Sequence, residues 1–149
     1  MKVLIQRVKS AQVIVEDEVC GKIGPGLLIF LGIHHSDTTK EVHFLAEKVA
    51  TLRIFTDATG KMNLSVKDLS LEALVISQFT LYANCMGGRR PDFLQAAPPS
   101  LAEPLYLEFI HSLEKKLTCP VAQGRFGAKM EVQLINDGPV TLLLEQNHS

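Results

Sequence analysis

The stretch KMEVQLINDGPVTLLLE, residues 129–145, reads as strand on both sides of a glycine-proline step, and this interruption constrains the fold more than any other feature. Proline has no backbone N–H and glycine weakens a strand, so sheet pairing must stop here or leave backbone exposed at a bulge, an edge or a turn. Asn136, Asp137 and Gly138 suit a positive φ, and a short loop between two alternating runs is the ordinary way to reverse a chain. The residues alone therefore leave a hairpin turn and a bulge both open, with the last two strands flanking NDGPVT.

The rest of the chain supplies the partners. MKVLIQRV and AQVIVE read as two strands with a turn at Lys9 and Ser10, and GKIGPG punctuates before the buried-looking strand LLIFLGI. A helix follows through DTTKEVHFLAEKVATL, capped by Ser36 or Asp37, with Val42, Leu45, Ala46, Val49 and Leu52 on one stripe. RIF returns to strand, DATGK turns, and LEALVISQFTL holds another strong strand. The segment from Cys85 to Ser100 is a long loop, a length that usually marks a functional element. A second helix begins with Ser100 and Glu103 in capping-box register and carries Leu105, Phe109, Leu113 and Leu117 on its apolar stripe. Strands, helix, strands, helix, strands, with no repeat and no linker, predict a single mixed α/β sheet domain over residues 1–149.

Several functional classes drop out. The longest apolar run, Gly26 to Ile33, is far short of the roughly 20 residues that cross a bilayer, so no membrane span or signal peptide is expected. Cys20, Cys85 and Cys119 are odd in number and lack a C-x-x-C pair, which fits a reducing cytoplasm. None of His34, His35, His43, His111 and His148 lies in a metal-ligand pattern, so no metal and no cofactor is expected. His43 and Glu47 share a helix face as surface polar groups. Gly60-Lys61 lacks the following Ser or Thr of a P-loop, and no nucleophile elbow or dinucleotide fingerprint occurs. Fifteen basic residues against 16 acidic ones give no global attraction to nucleic acid. Any RNA contact must be local, at Gly87 to Arg90, at Lys115 with Lys116, or at Arg125 with Lys129. Cys85 near Arg89 and Arg90 reads as a plain thiol, because no histidine is close in sequence to activate it. What remains is hydroxyl and backbone chemistry at SQFTL, Ser77 to Leu81, and GPVT, Gly138 to Thr141.

Taken together, SQFTL, GRRPDF, GRFGAKMEVQLINDGPVT, LRIF with GKMN, and the opening MKVLIQRVKSAQVIVE resemble the D-aminoacyl-tRNA deacylase family, in order and over nearly the whole chain. The resemblance implies a layered α/β/β domain with two helices packed on a barrel-like sheet. It implies a homodimer in which Gly138 and a cis Pro139 reach into the partner subunit's pocket, braced by Arg7. The implied reaction is hydrolysis of the ester of D-aminoacyl-tRNA, and of glycyl-tRNA, which has no side chain to reject. Ser77, Gln78, Phe79 and Thr80 carry the first motif, and Asn136, Gly138, Pro139, Val140 and Thr141 the second; Phe126 and Met130 are candidates for an adenine pocket, although their alternation equally fits core packing. Two routes for cleavage stay open: Thr141 or Thr80 as nucleophile, or the adenosine 2′-OH assisting water while backbone N–H groups near Phe79 hold the oxyanion. The stretch ANCMGGRRPDF departs from the acidic-then-basic pattern of many relatives, which bears on tRNA contact rather than on the chemistry. A non-catalytic tRNA-binding or dimerisation module on the same scaffold is the alternative reading. A hydrolase of small D-amino-acid esters or peptides is a third, which would need a nucleophile and base of its own.

Overall fold

One strand serves as the spine. In the computed structural model, which describes residues 1–147 and so leaves His148 outside, β1 (Lys2–Val15) runs without a turn at Lys9 and Ser10. The two strands expected there are one strand whose buried phase slips: Val3 and Ile5 point to one core, then Val8, Ala11 and Val13 to another. A tight turn at Glu16 and Asp17, with φ of 50° and 65°, leads into β2 (Glu18–Ile23), part of which reads as a connector in the sequence. β2 pairs antiparallel with the second half of β1, and β3 (Gly26–Gly32) pairs antiparallel with the first half.

After α1 (Thr39–Thr51), β4 (Phe55–Thr56) and β5 (Met62–Leu64) make a small separate hairpin, and β6 (Glu72–Ser77) returns parallel to β3. α2 (Pro99–Lys116) then precedes β7 (Val121–Gln123), which pairs parallel with β6 and is too short to show any periodicity in the sequence. The sheet order is β2-β1-β3-β6-β7. It curls until β2 meets β7: a Cβ added at Gly21 would lie 2.7 Å from the Gln123 carbonyl oxygen, so only glycine lets the two ends approach. The result is a nearly closed, barrel-like sheet with two helices packed on it.

Two cores follow. Val3, Ile5, Leu27, Ile29 and Leu31 face the helices and meet Val42, Leu45 and Val49 of α1 and Leu105, Phe109 and Leu113 of α2. Val8, Val13, Leu28, Leu74 and Ile76 fill the inside of the curl. β3 is therefore buried on both faces, which is why LLIFLGI shows no polar alternation. Burying each such Leu, Ile or Phe contributes about 1.5–3 kcal/mol.

The helix caps differ from expectation. Thr38 caps α1 in a capping box with Glu41, while Asp37 is buried against the Met1 amine at 2.9 Å and accepts the His34 N–H at 2.7 Å. α2 starts on Pro98 and Pro99 without a side-chain cap, because proline at the first turn has no N–H to satisfy; Ser100 and Glu103 form no box. His43 pairs with Glu108 at 2.9 Å rather than with Glu47, and Glu47 pairs with Lys116 at 2.9 Å, so both carboxylates tie α1 to α2.

β8 (Glu131–Glu145) runs antiparallel to β1 along its whole length. Asn136 sits opposite Val8 and Thr141 opposite Gln6, so residues 137–140 bulge out beside Arg7 while the chain continues in the same direction. NDGPVT is thus a bulge inside one strand, and the hairpin reading fails because both halves pair with the same partner.

Candidate active site

β6 delivers the first motif to the surface. Ser77 ends the strand in register with Leu31, and the Gln78 N–H donates to the Leu31 carbonyl at 2.8 Å. The backbone then breaks at Gln78 into a 3-10 turn, Phe79–Tyr82. This turn lies hard against Gly32, where an added Cβ would come within 3.1 Å of the Gln78 carbonyl and 3.0 Å of Leu81. The amides of Phe79 and Thr80 open the turn and have no upstream acceptor within it. The Thr80 hydroxyl accepts a hydrogen bond from the Gln78 amide.

Ser77, Gln78 and Phe79 form a lip between two adjoining hollows. One, about 370 Å³ and mainly apolar, is lined by Leu31, Phe79, Phe93, Ala97, Ala102 and Phe126 among others. The other, about 250 Å³, lies beside Ile76, Gly127, Met130 and Val132. Phe126 and Met130 therefore fall on opposite sides of the lip, and Phe126 also packs on Tyr106 with ring centroids 5.6 Å apart. Sequence reasoning misses Phe93, Ala96, Ala97 and Ala102; the signal is the small-residue run QAAPP closing a long loop onto a helix.

The second motif is built on Arg7. Its Nη1 donates to the Ile54 carbonyl at 2.7 Å and its Nε to the Asp137 carbonyl at 3.1 Å, with the Asp137 carboxylate 3.6 Å away. Gly138 has φ of +124°, and a Cβ there would stand 2.9 Å from Arg7 Nη2, so glycine is needed for both conformation and space. The Gly138–Pro139 bond is cis, and both residues are exposed while Val140 is buried in the main core as an anchor. Asn136 closes the bulge: its side-chain oxygen accepts from the Val140 N–H at 3.3 Å, and its amide donates to Thr141 Oγ1 at 2.8 Å. Gln6 also donates to Thr141 Oγ1, at 3.3 Å.

Within one chain the two motifs stay apart. Arg7 lies level with Leu27 whereas Ser77 lies level with Leu31, about 13 Å further along the sheet, with β1 and β3 between β8 and β6. None of Asn136 to Thr141 lines either hollow.

A family model described as D-Tyr-tRNA(Tyr) deacylase matches residues 4–145. The chain belongs to this deacylase family. It is 58% identical to the D-aminoacyl-tRNA deacylase of Halalkalibacterium halodurans, across 97% of this chain and 99% of that one. It is 53% identical to that of Protochlamydia amoebophila, across 97% and 95%. A solved structure named c-Myc DNA Unwinding Element Binding Protein superimposes with a TM-score of 0.94 at 41% identity, covering 99% of this chain and 100% of its own. A probable eukaryotic D-amino acid tRNA deacylase shares the fold, with a TM-score of 0.81 at 17% identity over 96% and 97%.

Around the Ser77–Phe79 lip the titratable groups are sparse. Among the described residues, no group of three or more His, Cys, Asp or Glu is arranged to hold a metal ion. Burial, and then neighbouring His35, hold the His34 imidazole below its ordinary value, and burial pushes the Tyr82 phenol well up. Both belong to a polar hollow beside Asp37, not to the Ser77–Phe79 lip. Cys85, Arg89 and Arg90 are exposed on the loop that follows the turn.

Proposed function

We propose that the chain hydrolyses the ester linking a D-amino acid to the 3′ end of tRNA, releasing both, and that the Gly138–Pro139 bulge excludes L-aminoacyl groups from the pocket of a second subunit. The observation that carries this reading is the separation just described: an exposed, braced bulge that cannot serve its own pocket, and a pocket lip without a selector. A second copy resolves both. The outer edge of β8, a long strand paired on one side with β1, exposes Ile135 and Leu143, which supports its burial in a homodimer.

Selection would be steric. Rigid backbone beside the α-carbon admits the hydrogen of a D-aminoacyl group where the L isomer would have to place its side chain, and such exclusion discriminates more sharply than a pocket differing by one methylene, worth about 1–3 kcal/mol. Glycyl-tRNA, with nothing to reject, is a substrate on the same logic. The chemistry would be hydrolysis by water, with the amides of Phe79 and Thr80 holding the oxyanion and the neighbouring 2′-OH of the terminal adenosine activating water. Water oxygen bonds the carbonyl carbon, the ester bond breaks, and the proton ends on the leaving 3′-oxygen. Thr141 is a poor nucleophile: its hydroxyl accepts from two amides and, among the described residues, is bonded to no imidazole or carboxylate. A tRNA substrate and three free cysteines fit a cytoplasmic setting.

Release of labelled amino acid from D-tyrosyl-, L-tyrosyl- and glycyl-tRNA tests the proposal, with a 2′-deoxyadenosine-ended D substrate alongside. Loss of the D and glycyl labels only, dependence on the 2′-OH, and activity retained by Thr141→Ala are expected. A folded dimer that hydrolyses none of them would instead be a tRNA-binding module, and an inactive Thr141→Ala that still binds tRNA would restore the nucleophile route.

A further inference from the structure

The loop after the 3-10 turn is rooted beside the pocket and otherwise stands free. Asn84 and Asp92 pair as an isolated antiparallel bridge, with N–H to carbonyl distances of 2.8 and 3.0 Å in the two directions. This bridge pinches residues 85–91 into a closed projection at the very point where Phe93 turns back to meet Phe79, ring centroids 5.0 Å apart, on the wall of the larger hollow. Nothing lies within 4 Å of a Cβ built at Gly87 or Gly88. At the tip, Arg89 and Arg90 are exposed, and among the described residues neither takes part in a salt bridge. Asp92, the nearest acidic residue in sequence, turns its carboxylate to the Leu94 N–H at 3.3 Å instead.

Two adjacent guanidinium groups with no anionic partner among the described residues, held on a pinned loop at the rim of a pocket for an RNA terminus, are complementary to phosphate. We propose that Arg89 and Arg90 clamp the backbone phosphates of the single-stranded 3′ end of the tRNA, immediately upstream of the adenosine whose ester lies at the Ser77–Phe79 lip. This rests on the deacylase reading of that lip. The chain is formally −1 overall, so it has no general basic field to hold RNA, and a local clamp must provide what attraction there is. The clamp holds the tRNA equally before and during ester cleavage, so it contributes to KM and not to kcat.

The test compares the wild type, Arg89→Gln/Arg90→Gln and Arg89→Lys/Arg90→Lys on two substrates: D-tyrosyl-tRNA, and the D-tyrosyl ester of adenosine alone, which has no phosphate. For the tRNA, the glutamine variant should show KM raised roughly tenfold or more with kcat kept, and the dependence of log KM on log salt should flatten by about 0.7 for each phosphate that is no longer neutralised. On the adenosine ester it should match the wild type, and the lysine variant should keep most of the tRNA affinity because the charge remains. Equal losses on both substrates, or an unchanged KM and salt slope on tRNA, would overturn the clamp. A wild type inert on both substrates would bring down the deacylase reading and the clamp with it, and is distinguishable because no variant comparison is then needed.

Discussion

Replacing Arg7 with methionine keeps the apolar stem of the side chain and removes its fork. The side chain is 11% exposed, so the two hydrogen bonds it donates, to Ile54 at 2.7 Å and to Asp137 at 3.1 Å, are largely shielded from water. Hydrogen bonds from a charged donor are each worth about 1.5–3 kcal/mol, and the desolvation that the guanidinium no longer suffers offsets part of this, leaving a net loss of about 2–4 kcal/mol. With a urea m-value of about 2 kcal/mol/M, the unfolding midpoint should fall by about 1–2 M at an unchanged slope. The assay is equilibrium unfolding at fixed protein concentration, since the stability of the proposed dimer would depend on it, together with D- and L-tyrosyl-tRNA hydrolysis. Without its brace the Gly138–Pro139 bulge should shift, and the ratio of D to L rates should drop before D-ester turnover itself is lost. A midpoint change smaller than about 0.3 M with an unchanged D to L ratio would refute the claim that Arg7 holds the bulge in place.

Gly138→Ala should cost about 1–3 kcal/mol, because φ of +124° and the 2.9 Å approach to Arg7 both oppose a methyl group; calorimetry checks the stability, and D-ester hydrolysis should fall with it. Tyr82→Phe should be neutral or stabilising by up to about 2 kcal/mol, since the buried Tyr82 hydroxyl has no hydrogen-bond partner among the described residues. A lowered melting temperature would show that the hydroxyl is satisfied in solution. The Lys116 and His43 contacts hold Glu47 and Glu108 below the ordinary carboxylate value, so their contribution is present above that value and lost as pH falls through the lowered ones. Glu47→Gln with Glu108→Gln should therefore lessen the wild-type loss of stability on acidification below about pH 4.5, measured by urea midpoint against pH.

Where burial alone decides, the sequence is readable. Val42, Leu45, Ala46 and Val49 repeat at helical spacing because α1 has one neighbour layer, and Leu105, Phe109 and Leu113 do so for the same reason on α2. The caps are misplaced by local reasoning because a distant group takes the local one's partner: Asp37 serves Met1 and His34, which leaves Thr38 to cap. β1 looks like two strands since its interior changes from the helix-facing core to the inside of the curl at Val8, a change of surroundings that local pattern cannot distinguish from a turn. The motif residues stand out as motifs, but only the register of β8 on β1 shows that Asp137 to Val140 leave the ladder, and only the folded chain shows Phe93 and Ala97 on the pocket wall.

The pairing of β1 with β8 also sets an order of events during synthesis. β1 leaves the ribosome well before β8 and can form its edges with β2 and β3 early, yet its remaining edge has to wait for residues 131–145. At ordinary elongation rates that wait is on the order of 10 s, during which the longest strand of the nascent sheet stays half-paired. Val140, which seats the bulge in the main core, arrives with that last strand. The part of the protein proposed to judge chirality is therefore put in place after the other strands of the sheet, and a chain cut before residue 131 would keep those strands and lose it.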